Sequence, residues 1–166
     1  LTSVEYDAYY ETYLKNVDPS TKLLAAFESS LENIPIFFKN LPEQKLLHSY
    51  AVGKWTPKEI LQHIIDTERI FAYRALRISR NDVTELPGFE ENAYVPPSQA
   101  NQKSLDQLLE EYTSLKKANI SLYKGFTNKM LKCLGKASGS PISVRAIAFI
   151  LVGHELHHIQ IIKELY

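Results

Sequence analysis

Near its C-terminal end the chain reads Gly153-His154-Glu155-Leu156-His157-His158, and His154 to His158 spells H-E-x-x-H. Residues i and i+4 share one face of a helix, so two imidazoles at this spacing can offer nitrogens to a single divalent ion. In zinc peptidases the intervening glutamate is the general base, and the third ligand lies downstream. Here eight residues follow His158, none of them histidine, and Glu164 sits only six residues on in the same helix. The chain also lacks a strong strand pattern along which a peptide substrate would lie. A peptidase is therefore disfavoured, and a third protein ligand is expected far upstream.

The faces of two helices show where it can come from. In the last helix the apolar stripe runs through Val144, Ile147, Ala148, Leu151, Ile161, Ile162 and Leu165, and His154 and His158 fall within it. His157 lies about 100° around the helix from His158, on a different face. In the second long helix the stripe is Ile60, Ile64, Phe71 and Ile78, and His63 shares its arc, with Thr67 one turn later. A lone inward histidine is ordinarily a hydrogen-bonded core residue. Three of them together need polar partners that an apolar core does not supply, and one divalent metal would satisfy all three rings. Three protein ligands leave a coordination position open, which is the catalytic rather than the structural pattern. A metal so held makes a water or thiol nucleophilic near neutral pH. Zinc and nickel are expected first, and iron(II) also suits three imidazoles.

Four long helices must position these residues, at about 20–38, 56–80, 104–123 and 141–165. The first repeats Leu23, Leu24, Phe27, Leu31 and Ile34 at helical spacing, with Pro35 expected to kink its last turn. The second opens on Thr56-Pro57-Lys58-Glu59, an N-cap, a first-turn proline and a capping-box glutamate. The third opens on Ser104 with Gln107 as box partner, and the fourth on Ser140-Pro141 or Ser143. Residues 39–54 read as a connection, and 81–103, with three prolines and a glycine, as a long loop of the kind that forms a lid or pocket wall. Residues 132–140 read as a turn region. Residues 1–17 look weakly helical, with Tyr6, Tyr9, Tyr10 and Tyr13 roughly on one side, and are expected to pack across the bundle. The fold class is thus all-α: one domain, residues 1–166, built as a four-helix bundle with long connections, in which metal sites form from facing helices.

Composition bounds the rest. Lys plus Arg and Asp plus Glu are 19 each, so no basic excess is available for nucleic acid. One cysteine, Cys133, excludes an internal disulfide and fits a reducing cytoplasm. The longest strongly apolar run, Ala146 to Val152, is too short to cross a membrane. No basic-then-apolar leader opens the chain. A cytoplasmic protein without nucleic-acid or membrane partners is expected.

Three blocks then resemble one family. Lys54-Trp55-Thr56-Pro57-Lys58-Glu59-Ile60-Leu61-Gln62-His63-Ile64-Ile65-Asp66-Thr67-Glu68 is similar to the second-helix signature of the DinB/YfiT-like superfamily. Leu86 to Val95 resembles its acidic-aromatic loop, and Gly153 to His158 its terminal signature. The blocks stand in family order and cover essentially the whole chain. The resemblance implies a DinB/YfiT-like four-helix bundle holding one divalent metal on His63, His154 and His158. The family's loop often carries tryptophan where this chain has Tyr94. Family members assigned a chemistry include thiol S-transferases that use low-molecular-weight thiols, a mycothiol-dependent isomerase and metal-dependent hydrolases. The resemblance therefore implies a small-molecule substrate, with a low-molecular-weight thiol among the candidates, and a possible homodimer.

Other residues take lesser roles. Glu155 is expected either to orient a histidine or to pair with a cation on a neighbouring helix, and Asp66 either to accept a hydrogen bond from a ligand histidine or, at least as readily, to be a solvated carboxylate on the helix face. Arg74, on the inward arc, can meet an anionic substrate. Tyr94 and Tyr73 are candidate pocket donors, with core packing the stronger reading of both. Trp55 reads as a structural anchor, and His48 as a surface residue. The leading function is a metal-dependent enzyme, transferase or hydrolase. The alternative is a non-catalytic metal-binding bundle with a structural or sensing role.

Overall fold

Capping chemistry sets where the long helices begin. The computed structural model describes residues 1–166. Helix α4 spans Pro57–Ser79; the Thr56 hydroxyl accepts from the Glu59 amide at 3.2 Å and the Glu59 carboxylate accepts from the Thr56 amide at 2.8 Å. Two orphan donors of the first turn are satisfied by this exchange. Helix α6, Leu105–Lys124, opens on the same device, with Ser104 and Gln107. Helix α2 covers Leu23–Lys39 and continues four residues past Pro35. It starts at its first apolar repeat residue, three later than the expected boundary at 20, because Asp18 accepts from both the amide and the hydroxyl of Ser20, drawing residues 18–21 into a turn. Helix α8 is Val144–Leu165, capped by Ser143. Three short pieces accompany them, α1 (Glu11–Leu14) ahead of α2, and α3 (Glu43–Leu46) and α7 (Asn128–Leu131) between the long helices.

Two expectations are corrected. Of the two expected openings of the fourth helix Ser143 is the one observed, and residues 134–143 are neither plain turn nor helix. They form an antiparallel hairpin, β1 (Leu134–Ala137) and β2 (Ser140–Ser143), whose two-residue loop has positive φ at both Ser138 and Gly139. That is the twist-matched hairpin loop, and it delays α8 to residue 144. Within the expected 81–103 loop lies α5, Glu91–Ser98, which includes Pro96 and Pro97. The prolines fall in its last turn, and the helix stops at Gln99 in the left-handed region.

Helix α4 packs on α8 and α6, and α2 packs on α6 and α8. The buried residues form two apolar clusters, one around Phe27, Phe71, Ile78, Ile147 and Leu151, the other around Phe38, Leu61, Ile65, Leu108 and Ile162. The order in which each helix meets the clusters gives its direction: α2 and α8 run one way, α4 and α6 the other. The consecutive long helices α4 and α6 are therefore parallel, so the chain must travel back the length of the bundle between them. The long 80–104 connection exists for this reason.

Between the clusters every long helix contributes polar residues: Ser30, His63, Glu68, Lys116, Asn119, His154, Glu155 and His158, all buried. This polar layer crosses an otherwise apolar bundle. The N-terminal segment runs over it, α1 lying on α8. A Cβ on Gly153 would stand 2.3 Å from the Tyr13 carbonyl oxygen, so glycine there lets α1 approach. Glu5 fixes the start of the segment, accepting two bonds from Arg145 and one from the Ser143 hydroxyl. No helix is long and apolar enough to cross a membrane.

Candidate metal centre

His63 from α4 and His154 and His158 from α8 meet in the polar layer. Nε2 of His154 lies 2.9 Å from Nε2 of His63 and 3.0 Å from Nε2 of His158. The rings are steeply inclined to one another, so nitrogens rather than faces converge. Burial lowers the pKa of all three, His63 to about 4, His158 to about 3 and His154 well below the usual value; neighbouring histidines add to the effect at His154 and His158. The rings are neutral at pH 7. A neutral imidazole nitrogen has either one proton or one lone pair, so Nε2 of His154 can bond one of its two neighbours and not both. Mutual hydrogen bonding therefore does not account for the cluster. A divalent ion does: nitrogens about 2.1 Å from a shared ion lie roughly 3 Å apart when their bonds meet near a right angle. These three residues alone form a group able to hold a metal ion.

The triad lies on a cavity of about 420 Å³. One stripe of α4 lines it, His63, Thr67, Phe71 and Arg74, opposite Ile150, His154 and His158 of α8. Tyr10 and Tyr13 come from the N-terminal segment, Phe89 from the long connection and Ser138 from the hairpin loop. The Tyr13 ring stands edge-on to His154 at 5.1 Å, and Trp55 lies on His63 at 4.8 Å. Trp55 is thus a wall of the site as well as an anchor. The Thr67 hydroxyl is buried and has no hydrogen-bond partner.

Glu155 turns away from the triad. Its Oε1 accepts from the Tyr112 hydroxyl at 2.9 Å and lies 2.8 Å from Nζ of Lys116. It pairs with a cation on a neighbouring helix and orients no histidine. Lys116 also stands 2.7 Å from Glu68, which accepts from Asn119 at 2.9 Å. Burial raises the pKa of Glu68. This Glu68–Lys116–Glu155 array was not foreseen, although Tyr112, Lys116, Ile120 and Tyr123 fall at helical spacing on the buried face of α6.

Of the two readings of Asp66 the histidine partner is corrected: its carboxylate accepts from the Gln62 amide one turn back on the same helix, at 2.9 Å. Tyr94 is exposed on α5, stacks on Phe89 and lies outside the main cavity, where Phe89 is the aromatic wall. Tyr73 is also exposed rather than core, bonded by Arg77. Arg74 is 2 % exposed and lines the cavity. His157 packs edge-on against Tyr13 outside the triad, and His48 is exposed.

Among solved structures the chain is similar to YfiT from Bacillus subtilis, at 16% identity over 99% of this chain and 90% of that one, with a TM-score of 0.72. At that identity the likeness speaks for the fold, which its description calls a four-helix bundle of unusual topology. No curated protein sequence matches. Residues 26–162 match the profile of the DinB superfamily, and by a match over that much of its length the chain belongs to this superfamily.

Proposed function

We propose that this protein is a metal-dependent enzyme: His63, His154 and His158 hold one divalent ion, and the cavity beside it receives a small substrate for attack by water or a low-molecular-weight thiol. The observation that carries the reading is the convergence of three neutral imidazole nitrogens on the floor of a cavity of about 420 Å³. When bound, the ion lowers the pKa of a water or thiol that shares it. Tyr13 and Trp55 cover the rings, shielding the reacting centre from bulk water. The Thr67 hydroxyl, without a protein partner, is free to hold a nucleophile or substrate atom in place. A structural ion would be closed by a fourth protein ligand, and three donors beside a cavity favour catalysis over that role. YfiT, similar in fold, is described as a probable metal-dependent hydrolase, which supports the hydrolytic branch.

The test is to purify the protein, measure its bound metal, and assay thiol conjugation to a generic electrophile and hydrolysis of simple esters and amides. Turnover should be lost on chelation and in His63→Ala. Turnover indifferent to both would refute the proposal, as would failure of the protein to take up any divalent metal. Unfolding on chelation with no turnover would favour the non-catalytic role.

A further inference from the structure

Arg74 has the environment of a ligand-binding arginine. It is the most deeply buried arginine, yet no carboxylate pairs with it, whereas Arg69, Arg77 and Arg145 all have acidic partners within 2.7 Å. Its Nη2 donates to the Pro87 carbonyl at 2.7 Å and the Ser138 hydroxyl at 3.1 Å, both neutral. The guanidinium lies 4.8 Å from the Phe71 ring and 5.9 Å from that of Phe89. A guanidinium has five N–H donors in a planar fork, so donors remain beyond those that meet Pro87, Ser138 and the Tyr10 hydroxyl beside it, all of them neutral. The carboxylates on the same cavity are Asp7 and Glu91, both partly exposed, and Asp7 already accepts from the Tyr9 amide and the Ser140 hydroxyl. A buried charge without a counter-charge is costly, and a bound anion would remove that cost.

We propose that Arg74 is the anion-binding end of the substrate site, so that the cavity takes an elongated organic carboxylate whose reacting bond lies at the histidine triad. This rests on the metal-enzyme reading above. The span follows from the helix. His63 and Arg74 are eleven residues apart on α4, roughly 16 Å along the axis at 1.5 Å per residue. The arginine side chain leans back towards the helix N-terminus and over Phe71. The distance left between the guanidinium and the triad is on the order of 10 Å. Aromatic rings of Phe71, Phe89 and Tyr10 line the cavity around Arg74, and the unpartnered Thr67 hydroxyl stands one turn from His63. The lining holds no lysine and no second arginine, which suits a carboxylate monoanion better than a phosphate dianion.

The experiment uses the full chain loaded with cobalt(II). A graded series of ω-mercapto carboxylic acids, and ω-mercapto alcohols of the same lengths, is titrated by calorimetry while the cobalt–thiolate charge-transfer band is followed. At one preferred length the acid should bind about tenfold to a hundredfold more tightly than its alcohol, the scale of a hydrogen bond to a charged group. That preference should vanish in Arg74→Gln and survive in part in Arg74→Lys, with the band unchanged in both. Equal binding of acids and alcohols by the wild-type protein at every length overturns the proposal, and needs no variant. So does a preference that persists in Arg74→Gln. An acid preference without a cobalt–thiolate band supports the Arg74 subsite and refutes thiol binding at the metal, so the two readings fail separately.

Discussion

Replacing Lys116 by methionine tests the polar layer that supports the site. Its Nζ lies 2.7 Å from Glu68 and 2.8 Å from Glu155, and all three side chains are within 2 % of complete burial. Methionine is one heavy atom shorter but similarly unbranched, and can occupy the space between Phe27 and Tyr112, whose rings now stand about the ammonium at 5.0 and 5.4 Å. The substitution therefore removes a charge with little change of volume. Two carboxylates then face each other's field without a cation, and breaking a buried pair in this way costs about 3–5 kcal/mol. A domain is stable by roughly 5–15 kcal/mol, so the loss is a large share. In a chain of this length it lowers Tm by roughly 10 °C, at about 2–4 °C per kcal/mol.

The penalty should depend on pH, and its sign can be worked out. Burial already raises the folded pKa of Glu68 above 4.5, and loss of Lys116 raises it further. A carboxyl with a raised folded pKa contributes stability that is fully present below its unfolded pKa and lost as pH rises through the folded value. The defect of Lys116→Met should therefore be largest above neutrality and shrink towards pH 5. Glu68→Gln/Lys116→Met/Glu155→Gln should recover most of the loss, because removing the whole array leaves no orphaned charge. Urea denaturation of the three proteins at pH 5 and pH 8 measures this. A Lys116→Met penalty below about 1 kcal/mol, or one equal at both pH values, would show that the array is not an ionic unit.

Gly153→Ala should detach the N-terminal wall, since the new methyl meets the backbone of Tyr13 rather than a movable side chain. A net loss of about 1–3 kcal/mol is expected, with limited proteolysis newly cutting within residues 1–20; an unchanged digestion pattern would count against it. For the metal-free protein, His63 has a folded pKa near 4 against 6.5 unfolded. A depressed histidine contributes stability that is present above pH 6.5 and lost as pH falls through the folded value. The wild-type stability curve should thus be steeper than that of His63→Gln by about 1.4 kcal/mol per pH unit between those limits; parallel curves would refute it. Thr56→Ala removes a cap whose hydroxyl also bonds Asn101 at 2.7 Å, and should cost about 1–2 kcal/mol.

The four long helices were legible because their signals are local: caps at Thr56 and Ser104, and apolar residues at helical spacing. The hairpin was not. Its strands are short and hold Gly135 and Pro141, and its turn depends on positive φ at Ser138, a conformation that the residue type does not announce. Helix α5 was hidden by Pro96 and Pro97, which are tolerable only because they fall where the helix ends. Inward histidines could be placed from spacing alone, since a helix face is a property of one segment. Side-chain partners could not, because they join segments. Asp66 sits three residues from His63 and still bonds Gln62, and Glu155 adjoins His154 and still faces α6.

That last separation bears on the chemistry. Along a helix, neighbouring residues point about 100° apart, so a ligand histidine and the glutamate after it serve different surroundings unless the backbone or a bound substrate brings them together. In this bundle α8 meets α4 on one side, where His154 and His158 find His63, and α6 is reached by Glu155 on another. The residue that H-E-x-x-H would make a general base is held by Lys116 and Tyr112 within the packed layer. On the metal-enzyme reading proposed above, the group that holds the nucleophile must line the cavity, and Thr67, whose buried hydroxyl has no protein partner, stands there beside the triad. Thr67→Val should accordingly lower turnover while leaving metal content and Tm nearly unchanged. An unchanged rate would show that Thr67 does not position the nucleophile.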